Sequence, residues 1–211
     1  VILRGWGVMN PTALKAAAKI GFPREKIVGV WWSGAEEDTI PAGAAAKGYI
    51  SAGFNVSGTN YPVIKDIQKY VVAKGKTNME DKSRIGSVYY NRGVVHGIIT
   101  VEAIRKAQEK YGKGKSITGE QMRWGIENLN IDAAMLKKLG AEGFMPALKM
   151  SCANHEGSGL VKFQQWDGKQ WKVITDWIES DQKLVRGMIE ESAAKYAKEK
   201  NITPRDCSKE S

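Results

Sequence analysis

Two short apolar runs separated by one helical segment open the chain, and this arrangement is the strongest constraint on its fold. The runs cover residues 1–7 and 27–32. Between them, Asn10 and Pro11 begin a helix, because Asn accepts hydrogen bonds from free backbone amides and Pro is tolerated in the first turn. Gly21 ends this helix. Since parallel strands are joined by such a crossover, the sequence predicts a βαβ unit in an α/β fold with a parallel sheet.

The same kind of local signal continues along the chain. Residues 48–54 predict a third strand, and residues 88–111 predict a long helix with apolar residues spaced for a buried face. Residues 161–173 predict a hairpin, because Asp-Gly supplies the turn between two alternating strands. A final helix is expected over residues 179–200.

The chain begins directly with a predicted strand. No starting Met, targeting segment or polar lead precedes residues 1–7. We therefore expect the chain to begin inside a fold, as the carboxyl-terminal half of a larger two-lobed protein.

Composition and charge exclude several classes of protein. With 42% hydrophobic and 26% charged residues, the chain is typical of globular proteins. Its apolar stretches are interrupted well before the ~20 residues that a membrane-spanning helix requires. The formal charge of +9 would attract polyanions, but basic residues alternate with acidic ones along the predicted helices, as in residues 105–110. We interpret these charges as solvated helix faces and expect no nucleic-acid partner.

The acidic residues and histidines form no recognisable catalytic set. Glu36, Glu37 and Asp38 are adjacent carboxylates without a nearby nucleophile or metal-ligand pattern, and we interpret them as a solvated loop. His96 and His155 lack the spacing of zinc ligands and are interpreted as structural. We therefore expect no enzymatic activity, no metal and no cofactor.

Large aromatic residues follow the first two predicted strands. Trp6 ends the first run, and Trp31 and Trp32 end the second, directly before Ser33. Ligands bind at the carboxyl ends of strands in open α/β sheets, so these residues would offer a small organic ligand apolar surface beside a polar group. The alternative is that individual tryptophans pack against a helix.

Cys152 and Cys207 are the two cysteines of the chain. Their wide spacing permits one disulfide, which would attach the carboxyl-terminal tail to the Cys152 loop and imply an oxidising compartment. Two free thiols are equally compatible with the spacing.

Taken together, these segments resemble the carboxyl-terminal portion of the type I periplasmic binding proteins, in particular the branched-chain amino acid (leucine/isoleucine/valine) group of ABC-transporter solute receptors. The resemblance is carried by residues 1–7, 27–32, 48–54, 89–97 and 163–168. It implies a two-lobed α/β fold with parallel-sheet lobes, from which the amino-terminal part of the first lobe is absent. It assigns residues 1–55 to the second lobe, residues 56–159 to the first lobe, and residues 160–211 to a return to the second lobe with a hairpin and carboxyl-terminal helix.

The resemblance implies binding and delivery of a solute without chemical conversion. Two lobes would close over a small organic solute and pass it to ABC permease subunits, in the periplasm or from a lipid-anchored extracytoplasmic position. A ligand-sensing regulator of the same fold is the alternative, and a doubly wound α/β enzyme is a more distant one. An oxidising periplasm also favours a disulfide between Cys152 and Cys207.

The resemblance also implies a set of ligand contacts. These are Trp6, Gly7, Trp32, Ser33 and Tyr90. The family places an ammonium-binding acid near Ser33, whereas this strand end carries no carboxylate, and Glu36 and Glu37 come several residues later. We therefore expect an aromatic or other organic acid as the alternative to an amino-acid-like solute.

Overall fold

The computed structural model describes residues 1–209. Its strands are β1 (Ile2–Leu3), β2 (Val28–Val30), β3 (Ile50–Gly53), β4 (Asn130–Ile131), β5 (Leu148–Lys149), β6 (Leu160–Trp166), β7 (Trp171–Val173) and β8 (Ile178–Glu179). The main sheet has the order β1-β2-β3-β6-β7, with β8 paired to β6, and a separate small sheet pairs β4 with β5.

The helices confirm the predicted long helix over residues 88–111 and place the final helix within the expected region. The α-helices are α1 (Met9–Lys19), α2 (Glu36–Thr39), α3 (Pro62–Ile67), α4 (Val88–Tyr111), α5 (Gly119–Glu127), α6 (Ala133–Lys138) and α7 (Gln182–Glu199). Ser87 caps the start of α4, and its hydroxyl accepts a hydrogen bond from the Tyr90 amide at 3.2 Å. This side chain satisfies one of the backbone donors that a helix leaves free in its first turn.

The main sheet is parallel in its first half and antiparallel in its second. β1, β2 and β3 run parallel, which confirms the predicted βαβ unit. β6 runs antiparallel to β3 and forms the predicted hairpin with β7. At the hairpin turn Gly168 has a φ of 106°, which glycine adopts without steric cost. Asp167 Oδ1 accepts hydrogen bonds from the Lys169 and Gln170 amides at 2.8 and 2.9 Å.

Two clusters of buried apolar side chains form the core. The first joins α1, the segment 35–46 and the main sheet; it consists of Leu14, Ile27, Ala35, Ala42, Ala46, Tyr49, Val88, Trp166 and Trp171. The second lies among α3 to α6; it consists of Ile64, Ile85, Val95, Leu129, Ile131, Leu136, Ala141, Phe144 and Met145. Val88 and Val95 lie about two turns apart on α4 and belong to different clusters, so this helix connects both cores.

The acidic segment after β2 anchors the start of α4, and the prediction of a solvated loop for Glu36, Glu37 and Asp38 is wrong. These residues begin α2, and Asp38 is fully buried. Glu36 Oε2 accepts a hydrogen bond from the Val88 amide at 2.9 Å. The carboxylate therefore caps the positive end of α4, a location that favours negative charge.

The tail of the chain is attached to the segment between residues 127 and 156. Cys207 forms a disulfide with Cys152, with a Cα–Cα distance of 5.6 Å. Arg205 Nη1 and Nη2 donate to the two Glu127 carboxylate oxygens at 2.5 and 2.7 Å. The tail thus contacts residues that the resemblance assigns to the first lobe, and the division of the chain at residues 55 and 159 stays a prediction.

Within residues 1–209, no helix is long and apolar enough to span a membrane.

Candidate ligand-binding site at the carboxyl ends of β2 and β3

Four aromatic rings lie together where β2 and β3 end. Trp31 and Trp32 form a short helical turn directly after β2, and Phe54 follows β3, so the parallel pairing of these strands brings them to one edge of the sheet. The Trp31 and Phe54 ring centroids are 4.4 Å apart, and those of Trp31 and Trp32 are 5.8 Å apart and nearly perpendicular. Tyr89, from the first turn of α4, lies 6.0 Å from Trp32. We call these four residues the aromatic wall.

The aromatic wall remains partly open to solvent. Trp31 is 44% exposed and Trp32 is 42% exposed. Large aromatic surfaces at a strand end are usually covered, because burying them is favourable. Two adjacent exposed indoles at the carboxyl-terminal edge of an α/β sheet therefore offer apolar ring faces to a small molecule.

The side chain of Arg92, on α4, fills the space behind the aromatic wall. Its guanidinium carbon lies 5.1, 4.8, 5.2 and 5.4 Å from the ring centroids of Trp31, Trp32, Phe54 and Tyr89. Arg92 is only 3% exposed, and its burial lowers the pKa of the guanidinium. Each contact is within the ~6 Å range of a cation–π interaction. A buried cation therefore contacts all four rings of the aromatic wall.

The residues predicted to contact ligand occupy different environments. Trp6 and Gly7 are exposed in the turn after β1, where Gly7 has a φ of 52°. Trp32 belongs to the aromatic wall, whereas Ser33 is fully buried and its hydroxyl donates to the Gly5 carbonyl at 2.9 Å. Tyr90 packs against the second core cluster, and burial raises its pKa. The structure thus brings Trp6, Gly7 and Trp32 to one sheet edge, and the ligand-binding role of all five residues stays a prediction.

Asn10 joins the turn after β1 to the turn after β2. Its side-chain amide lies within hydrogen-bonding distance of the Gly5 carbonyl at 3.3 Å, the Trp32 carbonyl at 3.0 Å and Asp38 Oδ1 at 2.6 Å. Asp38 Oδ2 also accepts a hydrogen bond from the Ala35 amide at 2.9 Å. These contacts fix the two turns relative to each other.

The three carboxylates near the aromatic wall each bind another group of the protein. Asp38 binds Asn10, and Glu36 caps α4. Burial raises the pKa of both carboxyl groups. Glu37 pairs with Arg84, whose Nη1 lies 2.5 Å from Glu37 Oε1. Each carboxylate therefore already has a structural partner.

An apolar cavity of about 460 Å³ adjoins the aromatic wall and shares Trp31 and Phe54 with it. Other residues that line it include Val95, His96, Ile99, Met145 and Leu148.

The two histidines contact other side chains. The His96 ring stacks on Phe54, with ring centroids 6.4 Å apart and an angle of 15° between the rings, which agrees with a structural role for His96. His155 Nε2 lies 3.2 Å from Glu127 Oε1. No group of three or more His, Cys, Asp and Glu residues in the described part of the chain is placed to hold a metal ion.

Phe54, Tyr89 and Arg92 also belong to this site, although they were not among the residues predicted to contact ligand. Phe54 ends the third predicted strand, so the strand-end rule applied to the tryptophans also points to it. Arg92 gives no comparable local signal, because its contact with the Trp31 carbonyl joins residues that are 61 positions apart.

Comparison with known families identifies the fold. A family model described as a periplasmic binding protein matches residues 1–170. The chain belongs to this family of binding proteins. A search of curated protein sequences gave no match.

Several solved structures share the fold of this chain. A protein from the Pseudomonas fluorescens group, described as an ABC transporter permease, is 48% identical over 98% of this chain, with a TM-score of 0.93. A Thermus thermophilus branched-chain amino acid ABC transporter protein with bound valine has 22% identity over 87% of the chain and a TM-score of 0.66. An R. palustris solute-binding protein in complex with benzoate has 14% identity over 86% of the chain and a TM-score of 0.53. This chain spans 50%, 47% and 44% of their respective lengths, about half in each case.

Proposed function

We propose that the chain forms part of an extracytoplasmic solute-binding receptor of an ABC importer, which holds a small organic solute between two lobes and delivers it to permease subunits. The observation that carries this proposal is the aromatic wall, in which Trp31 and Trp32 remain 44% and 42% exposed at the carboxyl ends of parallel strands. Membership of the periplasmic binding protein family supports binding as the activity. The receptor releases the solute chemically unchanged.

The chemistry of the site favours an aromatic or other organic acid over a zwitterionic amino acid. A flat ring stacks well on an exposed indole, with an energy of about 0.5–1.5 kcal/mol beyond its burial. A carboxylate is the strongest protein partner for an ammonium group, and Asp38, Glu36 and Glu37 are engaged with other groups. The R. palustris structure holds benzoate, which belongs to the favoured class, whereas the T. thermophilus structure holds valine.

Native mass spectrometry of the purified, unreduced protein tests the binding function. We expect denaturation to release a small molecule. We expect the mass of this molecule to stay unchanged when it is incubated with the protein for a prolonged time. Calorimetric titration with benzoate and with valine then tests the solute class, and we expect benzoate to bind more tightly. Release of no molecule together with no binding of either probe would contradict the proposal.

A pair of variants tests the location of the site. Trp32→Ala removes one exposed ring of the aromatic wall and should weaken benzoate binding about tenfold, equivalent to roughly 1.4 kcal/mol. Tyr70→Ala is the matched control, because Tyr70 is also an exposed aromatic residue, at 55%, but contacts none of the wall rings. Equal affinities for both variants would place the solute elsewhere.

A further inference from the structure

Trp31 has an unusual backbone conformation for a large residue. Its φ is 55°, in the left-handed region that glycine and asparagine favour. A bulky residue remains in this region only when the surrounding contacts enforce it. The contacts of Trp31 should therefore include one that holds its backbone as well as its ring.

Arg92 makes both kinds of contact. Its Nη2 donates to the Trp31 carbonyl at 3.1 Å, and its guanidinium carbon lies 5.1 Å from the Trp31 ring and 4.8 Å from the Trp32 ring. Its Nε donates to Asn55 Oδ1 at 3.3 Å, which fixes the plane of the guanidinium group. One side chain thus holds the backbone of Trp31 and both indoles.

The part of α4 that carries Arg92 is itself held against the main sheet. The Asn55 side-chain amide donates to the Val88 carbonyl at 3.0 Å, and the Tyr89 hydroxyl donates to the Trp32 carbonyl at 3.1 Å. Farther along the same helix, Val95 packs in the second core cluster. Arg92 therefore links α4 to the two exposed tryptophans.

We propose that Arg92 is a positioning residue for solute binding: it holds Trp31 and Trp32 in the orientation that presents their exposed faces, and makes that orientation depend on the position of α4. This inference rests on the proposed function and adds a residue that acts through the wall. Lysine should not replace Arg92, because an ammonium group lacks the planar fork that binds a carbonyl, an amide oxygen and ring faces together.

Fluorine NMR of the ligand-free protein tests the positioning directly. The protein is labelled with 5-fluorotryptophan, and the Trp31, Trp32 and Trp171 resonances are assigned with single Trp→Phe variants. Arg92→Lys and Arg92→Met should shift or broaden these two resonances and leave that of buried Trp171 unchanged. Arg105→Met is the control, because Arg105 also lies on α4 but has a side chain that is 60% exposed and pairs with Glu102. Unchanged Trp31 and Trp32 resonances in both Arg92 variants would overturn the proposal.

Titration with benzoate provides the second readout. Both Arg92 variants should bind benzoate about tenfold more weakly or worse, whereas Arg105→Met should bind as the wild type does. Full affinity in Arg92→Lys with loss in Arg92→Met would overturn positioning, since the charge alone would then suffice. Arg92→Lys retains the aliphatic stem and the charge, so it keeps the test valid if Arg92→Met does not fold. If wild-type protein binds no benzoate, the solute class fails while the fluorine spectra still decide the role of Arg92.

Discussion

Asn10 and Asp38 lie side by side in the interior, where the Asn10 side-chain nitrogen donates to Asp38 Oδ1 at 2.6 Å. Both residues are almost completely buried. Asn10 also reaches the Trp32 carbonyl, so this pair helps to fix the turn that carries the aromatic wall. A buried carboxylate needs such partners, because removing it from water disfavours its charged form.

Replacing Asn10 with Asp should make stability strongly dependent on pH. Two carboxyl groups at this distance cannot both ionise favourably, so Asn10→Asp should lose about 3 kcal/mol of unfolding free energy at pH 7. The paired carboxyls would have a raised pKa in the folded state, so the contribution of this pair to stability is greatest at low pH and is lost as the pH rises through that pKa. Urea unfolding at pH 7 and pH 4.5 measures the difference. The control is Ala16→Asp, at an exposed position on α1, which should lower the unfolding free energy by less than about 1 kcal/mol. An equal loss of unfolding free energy for Asn10→Asp at both pH values would contradict the explanation.

Removing the disulfide should release the tail and lower stability. The bridge closes a sequence separation of 55 residues, for which chain entropy predicts a contribution of about 4 kcal/mol. We expect the Cys152→Ser/Cys207→Ser double variant to lose roughly 2–4 kcal/mol in urea unfolding. Trypsin should then cleave more rapidly within the Lys-rich end of α7. Reducing agent should reproduce the effect in the wild type and change nothing in the double variant; a wild type insensitive to reduction would refute this prediction.

Removing Arg205 should destabilise the protein through Glu127, whose side chain is 5% exposed. Arg205→Met leaves this carboxylate with weaker partners, and we expect a loss of about 1–3 kcal/mol at pH 7. Lys106→Met is the control, because its partner Glu109 is exposed and such pairs contribute about 0–1 kcal/mol. Denaturation curves of the two variants supply the comparison.

The effect of Arg205→Met should also depend on pH. Hydrogen bonds from Arg205 are the main cause that lowers the pKa of Glu127 below its ordinary value of 4.5. A lowered folded-state pKa gives stability that is present above the ordinary value and is lost as the pH falls through the folded value. The difference between wild type and variant should therefore shrink below pH 4.5. A difference that stays constant down to pH 3 would exclude the ion pair as the cause.

The hairpin turn should contribute an acid-sensitive part of the stability. The amides of Gln170 and Lys169 lower the pKa of Asp167 from 3.8 to about 2. The contribution is complete at neutral pH and should be lost as the pH falls from about 4 to about 2. Asp167→Asn should therefore flatten the pH dependence of unfolding in this window. Ser158→Ala is the control, because it removes a polar side chain without removing a carboxylate. If the unfolding free energy of Asp167→Asn depended on pH as that of the wild type does, Asp167 would not be the source of the acid sensitivity.

The sequence by itself determined the elements whose signals are local. The βαβ unit follows from apolar runs around a capped helix, and the hairpin of β6 and β7 follows from alternating residues around Asp167 and Gly168. The length of α4 follows from its apolar spacing. These patterns depend on residues close together in the chain, so they can be recognised without knowing the packing. They also carried the resemblance to the periplasmic binding proteins, which the family match bears out.

Only the tertiary structure decided which distant residues complete the candidate site. Strand ends indicated Trp31 and Trp32, but the Arg92 contact spans 61 positions and the Asn10 contact with Asp38 spans 28. Such contacts depend on how α4 and α1 pack on the sheet, and hydrophobic periodicity shows which face of an element is buried but not which side chain it meets. For the same reason, the local pattern of three adjacent acids did not show their partners: Asn10 of α1 donates to Asp38, the Val88 amide of α4 donates to Glu36, and Arg84 pairs with Glu37.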